Sequence, residues 1–439
     1  MNTPIIDFVK KYSDSGACRM HMPGHKGKTT LGFENFDITE IDGADSLYHA
    51  DGVIEESRKN ASEIFGSQTF YVTEGSSQSI RAMLYLVSVL CGKNAKVLAA
   101  RNAHKSFVSG AALCGIDVTW LYPKNEQSYL SCIVSATEVE KALEKENFAA
   151  VYLTSPDYLG NVLDVESIAA ACRKYGALLL VDNAHGAYLK FLPKSLHPID
   201  LGADMCCDSA HKTLDAITGA AYLHLNKNLK IEKEKVLYAL STFGSTSPSY
   251  LTLCSLDALN TKLFYGYKEE LNRLVKKIDN LKEYLKESGY KLVGNEKLKI
   301  TVDAKSYGYY GEDLAAIAQK NGIVCEFYDH DYIVFMISSS NSDEEIALLE
   351  KTLIGIERKN AREEERFNLL RPEKVLSIRD AYFSASEILP VEQSDGKVLA
   401  AVNVSCPPAV PILVCGERID KAAIKALNYY GIKTVCVVK

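Results

Sequence analysis

Short apolar runs alternate with helical stretches from residue 60 to residue 225, and this alternation most limits the folds open to the chain. Ala149–Thr154, for example, precedes a helix predicted over Val165–Tyr175, and Ala177–Asp182 is a strongly apolar strand that ends in an aspartate. Continuous apolar strands separated by helices indicate a mostly parallel sheet with helices on both faces. The expected fold class is α/β, and ligands of such sheets bind beyond the carboxyl ends of the strands.

The rest of the chain predicts two smaller parts. A long charged helix is expected over Tyr267–Ser288, residues 290–358 have a strand, helix, strand, strand, helix pattern, and Thr434–Val438 is a final strand. A small α+β domain and a tail subdomain therefore follow the large domain. The expected divisions are residues 1–265 for the N-terminal segment and large domain, 266–360 for the small domain and 361–439 for the tail.

Composition excludes several classes of protein. The 439 residues carry 50 basic and 56 acidic side chains, so the net charge is 50 − 56 = −6, which argues against a nucleic-acid partner. The chain has no run of 18 apolar residues and no recognisable signal peptide, so we expect neither a membrane span nor export. Its 12 cysteines lack metal-binding spacing, which predicts buried free thiols, no metal site and a reducing cytoplasm.

Several polar segments directly follow predicted strands, and Asp208–Thr213 is the first of them. A lysine at a strand end, here Lys212, could hold an aldehyde cofactor as a Schiff base, and nearby hydroxyls could hold a phosphate. A surface lysine on a polar turn is the alternative. Asp182 ends a strand 30 residues earlier in the sequence and could pair with a protonated pyridine nitrogen, or simply cap the next helix.

Two further strand ends carry suitable groups. In the turn Glu74–Ser79, the hydroxyls of Ser76 and Ser77 at a helix N-terminus could hold a phosphate, although an ordinary helix cap has the same composition. His104 could stack on an aromatic cofactor, or could be an ordinary polar residue. Thr154–Gly160 forms another strand-end turn. Taken together, the segments predict pyridoxal phosphate (PLP) as the cofactor.

The chain also resembles the ornithine/lysine/arginine decarboxylases of the aspartate-aminotransferase fold (PLP-dependent type I). The resemblance covers nearly the whole chain, in the short form without an added N-terminal receiver-like domain. It rests on the following segments: Arg19–Gly27, Asp42–His49, Ser209–Lys212, Ser245–Tyr250, Leu376–Ala381, Pro407–Pro411 and Gly416–Ile419.

The resemblance implies a PLP-dependent decarboxylase of a basic amino acid, a role in polyamine biosynthesis, and a homodimer or higher homo-oligomer with shared active sites. By this resemblance Lys212 would bind the cofactor covalently, Asp182 would pair with the pyridine nitrogen, His104 would stack on the ring and His185 would lie beside it. The phosphate would be surrounded by a set of polar residues, with the last two from the partner subunit: Ser76, Ser77, Ser209, His211, Ser245 and Thr246.

The chain departs from the family pattern at several positions that are expected to affect the cofactor turn or the substrate pocket: Glu74, Ser79, Ala50, Ser405, Cys406 and Ala409. The choice among arginine, lysine and ornithine is therefore open. An acidic residue should face a basic substrate, and Asp45, Asp51 and Glu417 are candidates by resemblance.

Other functions fit some of the same residues. Another type I PLP reaction, such as that of an aminotransferase or a lyase, and a non-catalytic relative are the alternatives. A P-loop is excluded because Met22 stands where its first glycine is required. His21 and His25 are four residues apart, but the intervening Pro23-Gly24 breaks any helix that could present both to zinc.

Overall fold

A computed structural model of the chain describes residues 1–92, 95–124, 128–363, 366–402 and 408–439. The helices are α1 Pro4–Asp14, α2 Val53–Phe65, α3 Ser76–Cys91, α4 Lys105–Cys114, α5 Ala136–Leu143, α6 Val165–Lys174, α7 Ala210–Thr213, α8 Lys233–Thr242, α9 Tyr250–Phe264, α10 Tyr267–Glu287, α11 Gly311–Lys320, α12 Asp343–Ile354, α13 Ile378–Phe383 and α14 Lys421–Tyr429.

The strands alternate with these helices over much of the chain. They are β1 Gln68–Val72, β2 Lys96–Ala100, β3 Asp117–Leu121, β4 Ala150–Thr154, β5 Leu178–Asp182, β6 Met205–Asp208, β7 Ala221–Leu225, β8 Leu292–Val293, β9 Lys299–Asp303, β10 Phe327–Tyr328, β11 Tyr332–Met336, β12 Ser386–Pro390, β13 Leu399–Ala401 and β14 Thr434–Val438.

The chain forms two compact units, of which the first comprises Met1–Leu86 and Leu178–Asn272. Its strands lie in the order β1-β7-β6-β5. Strands β5 and β6 are parallel, as predicted, whereas β7 runs antiparallel to β6 and β1. A parallel return requires a long crossover, and residues 209–220 between β6 and β7 contain only the short helix α7.

The apolar runs of the first unit form strands because both faces of its sheet are covered. Strand β7 is buried along its whole length, and β5 is buried at four of its five residues. Phe65, the last residue of α2, packs on this sheet with its ring centroid 5.1 Å from that of Tyr222 on β7. Such burial is typical of the continuous apolar strands from which the fold class was predicted.

The second unit comprises Val87–Ala177 and Arg273–Lys439. It contains the parallel strands β4-β2-β3, a four-stranded antiparallel sheet β10-β11-β9-β8 and a three-stranded sheet β12-β14-β13. The predicted strand Thr434–Val438 is β14, and the predicted charged helix is α10, which ends one residue earlier than expected. Strand β3 was not predicted, because it is only partly buried and includes the polar residues Asp117 and Thr119.

Further expectations concern the chain as a whole. The division into three domains at residues 265 and 360 stays a prediction. Within the part of the chain that the structure describes, no helix combines the length and the apolar character needed to cross a membrane. The described cysteines are free thiols, and several are buried, including Cys206 and Cys207.

Candidate active site

The parallel pair β5 and β6 brings two of the predicted segments together at their carboxyl ends. Asp182, the last residue of β5, lies opposite Cys207 in the register of the pair, and Asp208 ends β6 one residue later. The backbone N–H of Asn183 donates to the carbonyl of Cys207 at 3.0 Å, so the pairing continues just beyond β5. Residues that follow the two strands are therefore neighbours in space.

Lys212 is contacted by His185 from the other strand end. Its Nζ lies 2.9 Å from His185 Nε2, and its backbone N–H donates to the carbonyl of Ser209 at 3.0 Å. The His185 side chain is buried, whereas Lys212 is half-buried. A primary amine beside an imidazole can exchange a proton with it and can bind a carbonyl compound covalently.

Asp182 is almost completely buried. Its Oδ1 accepts the backbone N–H of Ala184 at 3.2 Å and the thiol of Cys207 at 3.6 Å. Burial raises the pKa of Cys207 well above its usual value, so the thiol stays protonated and is the donor of a hydrogen bond to this carboxylate. These contacts orient a carboxylate at the end of β5, the position predicted for a partner of a pyridine nitrogen.

The third segment that the fold brings to this site is the turn before α3. Ser209 Oγ donates to Ser76 Oγ at 2.9 Å, which joins the first residue of α3 to the residue after β6. Gly75 has φ of +68°, a conformation that favours glycine, and its N–H donates to the carbonyl of Gly219 at 2.9 Å. Paired hydroxyls at the N-terminus of a 16-residue helix suit a phosphate group.

The remaining residues of this segment differ in their exposure and in their hydrogen-bond partners. Ser77 follows Ser76 in α3 and is half-buried, and Glu74 is exposed to solvent. Ser79, where the family commonly has glycine, donates its Oγ to the carbonyl of Tyr222 at 3.2 Å. His211 Nδ1 is hydrogen bonded to the carbonyl of Ala220 at 2.9 Å, which fixes the imidazole orientation beside Gly75.

His104, Ser245 and Thr246 are the remaining residues predicted for the cofactor site. His104 lies in the second unit, where it caps α4 by accepting the N–H of Ser106 at 3.1 Å on Nδ1. Ser245 and Thr246 are exposed in the first unit, and the Oγ of Ser245 bonds within its own loop, to Ser247. Their roles at the cofactor stay predictions.

The sequence predicted no role for Gln78 and Tyr48, whose side chains lie against Gly244, the residue before Ser245. Gln78 Nε2 donates to Tyr48 OH at 2.9 Å and to the carbonyl of Leu240 at 2.8 Å. A Cβ atom on Gly244 would lie only 2.0 Å from Tyr48 OH, so a larger residue there would require the Tyr48 side chain or the loop to move. The available signal was that both side chains lie inside motif segments, in Asp42–His49 and in Glu74–Ser79, whose last four residues begin α3.

The candidate acidic partners of a basic substrate have other contacts. Glu417 is buried and accepts Arg101 Nη2 at 2.9 Å and the N–H of Val414 at 2.7 Å. Asp45 accepts five backbone N–H groups, including those of Gly52 and Ile54, and so holds the start of α2. These contacts favour structural roles for Glu417 and Asp45.

The other departures from the family pattern are also placed. Ala409, which replaces a glycine, is buried with φ of +55°, a conformation that strains any residue with a Cβ atom. Ala50 is buried, and its carbonyl accepts Lys233 Nζ at 3.1 Å. Ser405 and Cys406 lie outside the described residues.

Solved structures with the same fold include lysine decarboxylases. The lysine decarboxylase LdcF of Francisella novicida matches with a TM-score of 0.81 at 15% sequence identity, over 100% of this chain and 81% of that one. The constitutive lysine decarboxylase of Escherichia coli matches with a TM-score of 0.78 at 17% identity, over 100% of this chain and 82% of that one. These matches confirm the predicted fold class.

Sequence relatives cover most of the chain as well. The uncharacterized protein YaaO of Bacillus subtilis (strain 168) is 28% identical over 98% of this chain and 94% of its own length. An arginine decarboxylase of the same organism is 26% identical over 96% of this chain and 92% of its own. The family model "Orn/Lys/Arg decarboxylase, major domain" matches residues 3–303, more than half of the chain. The chain therefore belongs to the Orn/Lys/Arg decarboxylase family.

Proposed function

We propose that the chain is a PLP-dependent decarboxylase that converts arginine, lysine or ornithine to the corresponding amine and CO₂. The observation that carries this proposal is the 2.9 Å contact between Lys212 Nζ and His185 Nε2 beside the buried Asp182. Family membership and relatives named arginine decarboxylase support the same reaction.

The donor groups of the first unit fit PLP. Lys212 would bind its aldehyde carbon, the Asp182 carboxylate would keep the pyridine nitrogen protonated, and Ser76 and Ser209 would hold the phosphate with the N-terminus of α3. His104 would stack on the ring, and Ser77 and His211 would complete the phosphate site. When bound, PLP supplies an electron sink for the amino-acid substrate.

In the proposed reaction the bond between Cα and the substrate carboxylate breaks, CO₂ leaves, and a proton replaces it on Cα. Lys212 Nζ and His185 Nε2 are close enough to pass a proton between them, so this pair is a candidate for moving protons at the site. With PLP bound, the carboxylate of Asp182 would stabilise positive charge on the pyridine nitrogen, which would favour electron flow away from Cα.

The direct test is to incubate the purified chain and PLP with arginine, lysine and ornithine separately and to measure CO₂ and amine. We expect release from at least one of the three and none from Lys212→Ala. Formation of a keto acid in place of CO₂ would support an aminotransferase, and PLP binding without turnover of any amino acid would support a non-catalytic relative.

We also propose that the active site is shared between two subunits of a homodimer, with Ser245 and Thr246 reaching the partner's phosphate site. Both residues are exposed on one chain, on the loop between α8 and α9. The test mixes a Lys212→Ala chain with a Ser245→Ala/Thr246→Ala chain. Random pairing should restore about a quarter of the sites if the segments come from different chains.

No recovery of activity after demonstrated subunit exchange between two inactive parents would show that the loop serves its own chain.

We also propose a cytoplasmic location. The described cysteines have free thiols, which supports a reducing compartment.

A further inference from the structure

A fully buried cluster of charged and polar side chains lies next to the candidate site. Asp208 Oδ2 is hydrogen bonded to His197 Nε2 at 3.0 Å and to His224 Nε2 at 3.1 Å, and all three side chains are inaccessible to solvent. None of the three has a role in the proposed reaction. Burying a charge costs folding free energy unless the charge is paired, so such a cluster suggests a specific role.

The two imidazoles keep Asp208 ionised. Burial by itself would raise the pKa of this carboxyl, but the attraction and hydrogen bonds of His197 and His224 outweigh burial and hold the pKa well below its usual range. Burial lowers the pKa of His224, and the charge and hydrogen bond of Asp208 oppose that shift. His224 Nδ1 is also held, by Thr69 Oγ1 at 3.0 Å.

The other oxygen of Asp208 reaches the second strand end. Asn183 Nδ2 donates to Asp208 Oδ1 at 2.6 Å, and this hydrogen bond is charge-assisted. Asn183 directly follows Asp182, and Asp208 directly precedes Ser209, four residues before Lys212. The Asn183–Asp208 contact therefore joins the segment proposed to hold the pyridine nitrogen to the segment proposed to hold the aldehyde and the phosphate.

We infer that Asp208 is a positioning residue that, through Asn183, holds these two cofactor-binding segments in register. The inference rests on the proposed binding of PLP. Asp208 itself is completely buried and acts through Asn183, while His197 and His224 supply the compensation that lets an anion stay there. Loss of Asp208 or of Asn183 should therefore weaken the binding of PLP to a similar extent.

A His-Asp-His cluster could also hold a metal ion, since its three ligand atoms lie within 4.8 Å of one another. The hydrogen bonds of both imidazoles to a single carboxylate oxygen already account for the arrangement without an ion. Elemental analysis of the purified protein separates the two explanations. One bound metal ion per chain that is lost in Asp208→Ala would overturn the positioning role.

The experiment measures the dissociation constant of PLP by absorbance titration of the cofactor-free chain. The variants are Asp208→Ala, Asn183→Ala and the double variant, and the matched control is Asp257→Ala, which removes another buried carboxylate of the same unit. We expect each single variant to raise the dissociation constant about tenfold and the double variant to raise it no further. The control should stay within about twofold of the wild type.

A dissociation constant within about twofold of the wild type in Asp208→Ala, or multiplied effects in the double variant, would overturn the inference. A merely structural role would destabilise the fold without this non-additivity in cofactor binding. If Asp208→Ala does not fold, Asp208→Asn replaces it, and we expect an increase of about threefold because the acceptor is neutral. Failure of the wild type itself to bind PLP would instead contradict the proposed function.

Discussion

Asp208 and Asp257 are both completely buried in the first unit, but the groups around them give the two carboxyls opposite properties. Asp208 is paired with two imidazoles, which outweigh burial and hold its pKa low. Asp257, on α9, accepts the N–H groups of Ile5 and Ile6 at 3.0 Å and the hydroxyl of Ser57, all neutral donors. Burial therefore dominates there and raises the pKa of Asp257 to about 6.

The difference separates two regions of one unit. The strand-end region, residues 182–185 and 208–212, keeps charged groups inside the protein at the place proposed for the cofactor. The helix network, formed by Asp257 with Ser57, Ile5 and Ile6, uses a carboxyl to join α9 to the starts of α1 and α2. Buried polarity serves the proposed chemistry in the first region and helix packing in the second.

The largest expected difference between the two regions is in activity. Lys212→Ala should lower decarboxylation by about three orders of magnitude or more, because no other group can replace the amine that binds the aldehyde. Asp257→Asn should keep at least about half of the activity. Borohydride reduction of the PLP-loaded wild type followed by peptide mapping should mark Lys212, and a mark on Lys105 or Lys26 instead would refute the assignment.

Asp182→Asn should give the next largest effect. An amide cannot keep the pyridine nitrogen protonated, and a loss of a few pKa units at ~1.4 kcal/mol each lowers the rate by about a hundredfold or more. Thermal unfolding measures any effect on stability, and CO₂ release measures the effect on the reaction rate. Activity within about twofold of the wild type would contradict the role of Asp182, as would a lowered unfolding temperature with unchanged specific activity of the folded enzyme.

The segments of the strand-end region could be predicted because each follows an apolar run that the sequence displays openly. Asp182 ends such a run, and the block around Lys212 resembles the cofactor block of a known family. Local composition was sufficient for these residues because the strand and its polar end are consecutive in the chain. Strand β14 could be predicted for the same reason, since its residues form a continuous, mostly apolar run.

The contacts within that region could not be predicted from the sequence. Asp208 and His224 are brought together by the antiparallel pairing of β6 with β7, and that direction depends on the short connection between the strands. His197 comes from the segment that precedes β6. Gln78 and Gly244 are far apart in sequence, and their close approach depends on the packing of α3 against the end of α8. Such partners are fixed by tertiary structure and leave no periodic pattern.

The pH dependence of stability should differ in sign between the two buried aspartates. The folded-state pKa of Asp257 is raised from 3.8 to about 6, so its stabilising contribution is complete below the unfolded value and is lost as pH rises through the folded one. Between about pH 4 and about pH 7, the wild type should lose up to roughly 3 kcal/mol of stability relative to Asp257→Asn.

For Asp208 the folded-state pKa is lowered, so its contribution is present above the unfolded value of 3.8 and is lost as pH falls below it. The stability deficit of Asp208→Asn relative to the wild type should therefore shrink in acid. Urea-unfolding midpoints of the cofactor-free chains, measured from about pH 2 to about pH 7, test both signs. Parallel pH profiles for the two variants would remove the distinction between the regions.

Glu74 offers the smallest expected effect, and it extends the comparison to an exposed carboxylate. It lies in the turn proposed to hold the phosphate, where an anion would repel the ligand if its charge were buried or aimed at the site. The side chain is exposed, so water and salt screen it, and Glu74→Gln should change the dissociation constant of PLP by less than about twofold.

Burial is the main cause that raises the pKa of the neighbouring Tyr48, and the charge of Glu74 adds to it, so the variant should also lower the pKa of Tyr48 slightly. A tightening of PLP binding by about tenfold in Glu74→Gln would mean that the carboxylate faces the phosphate in the loaded protein. This departure from the family pattern would then weaken cofactor binding directly.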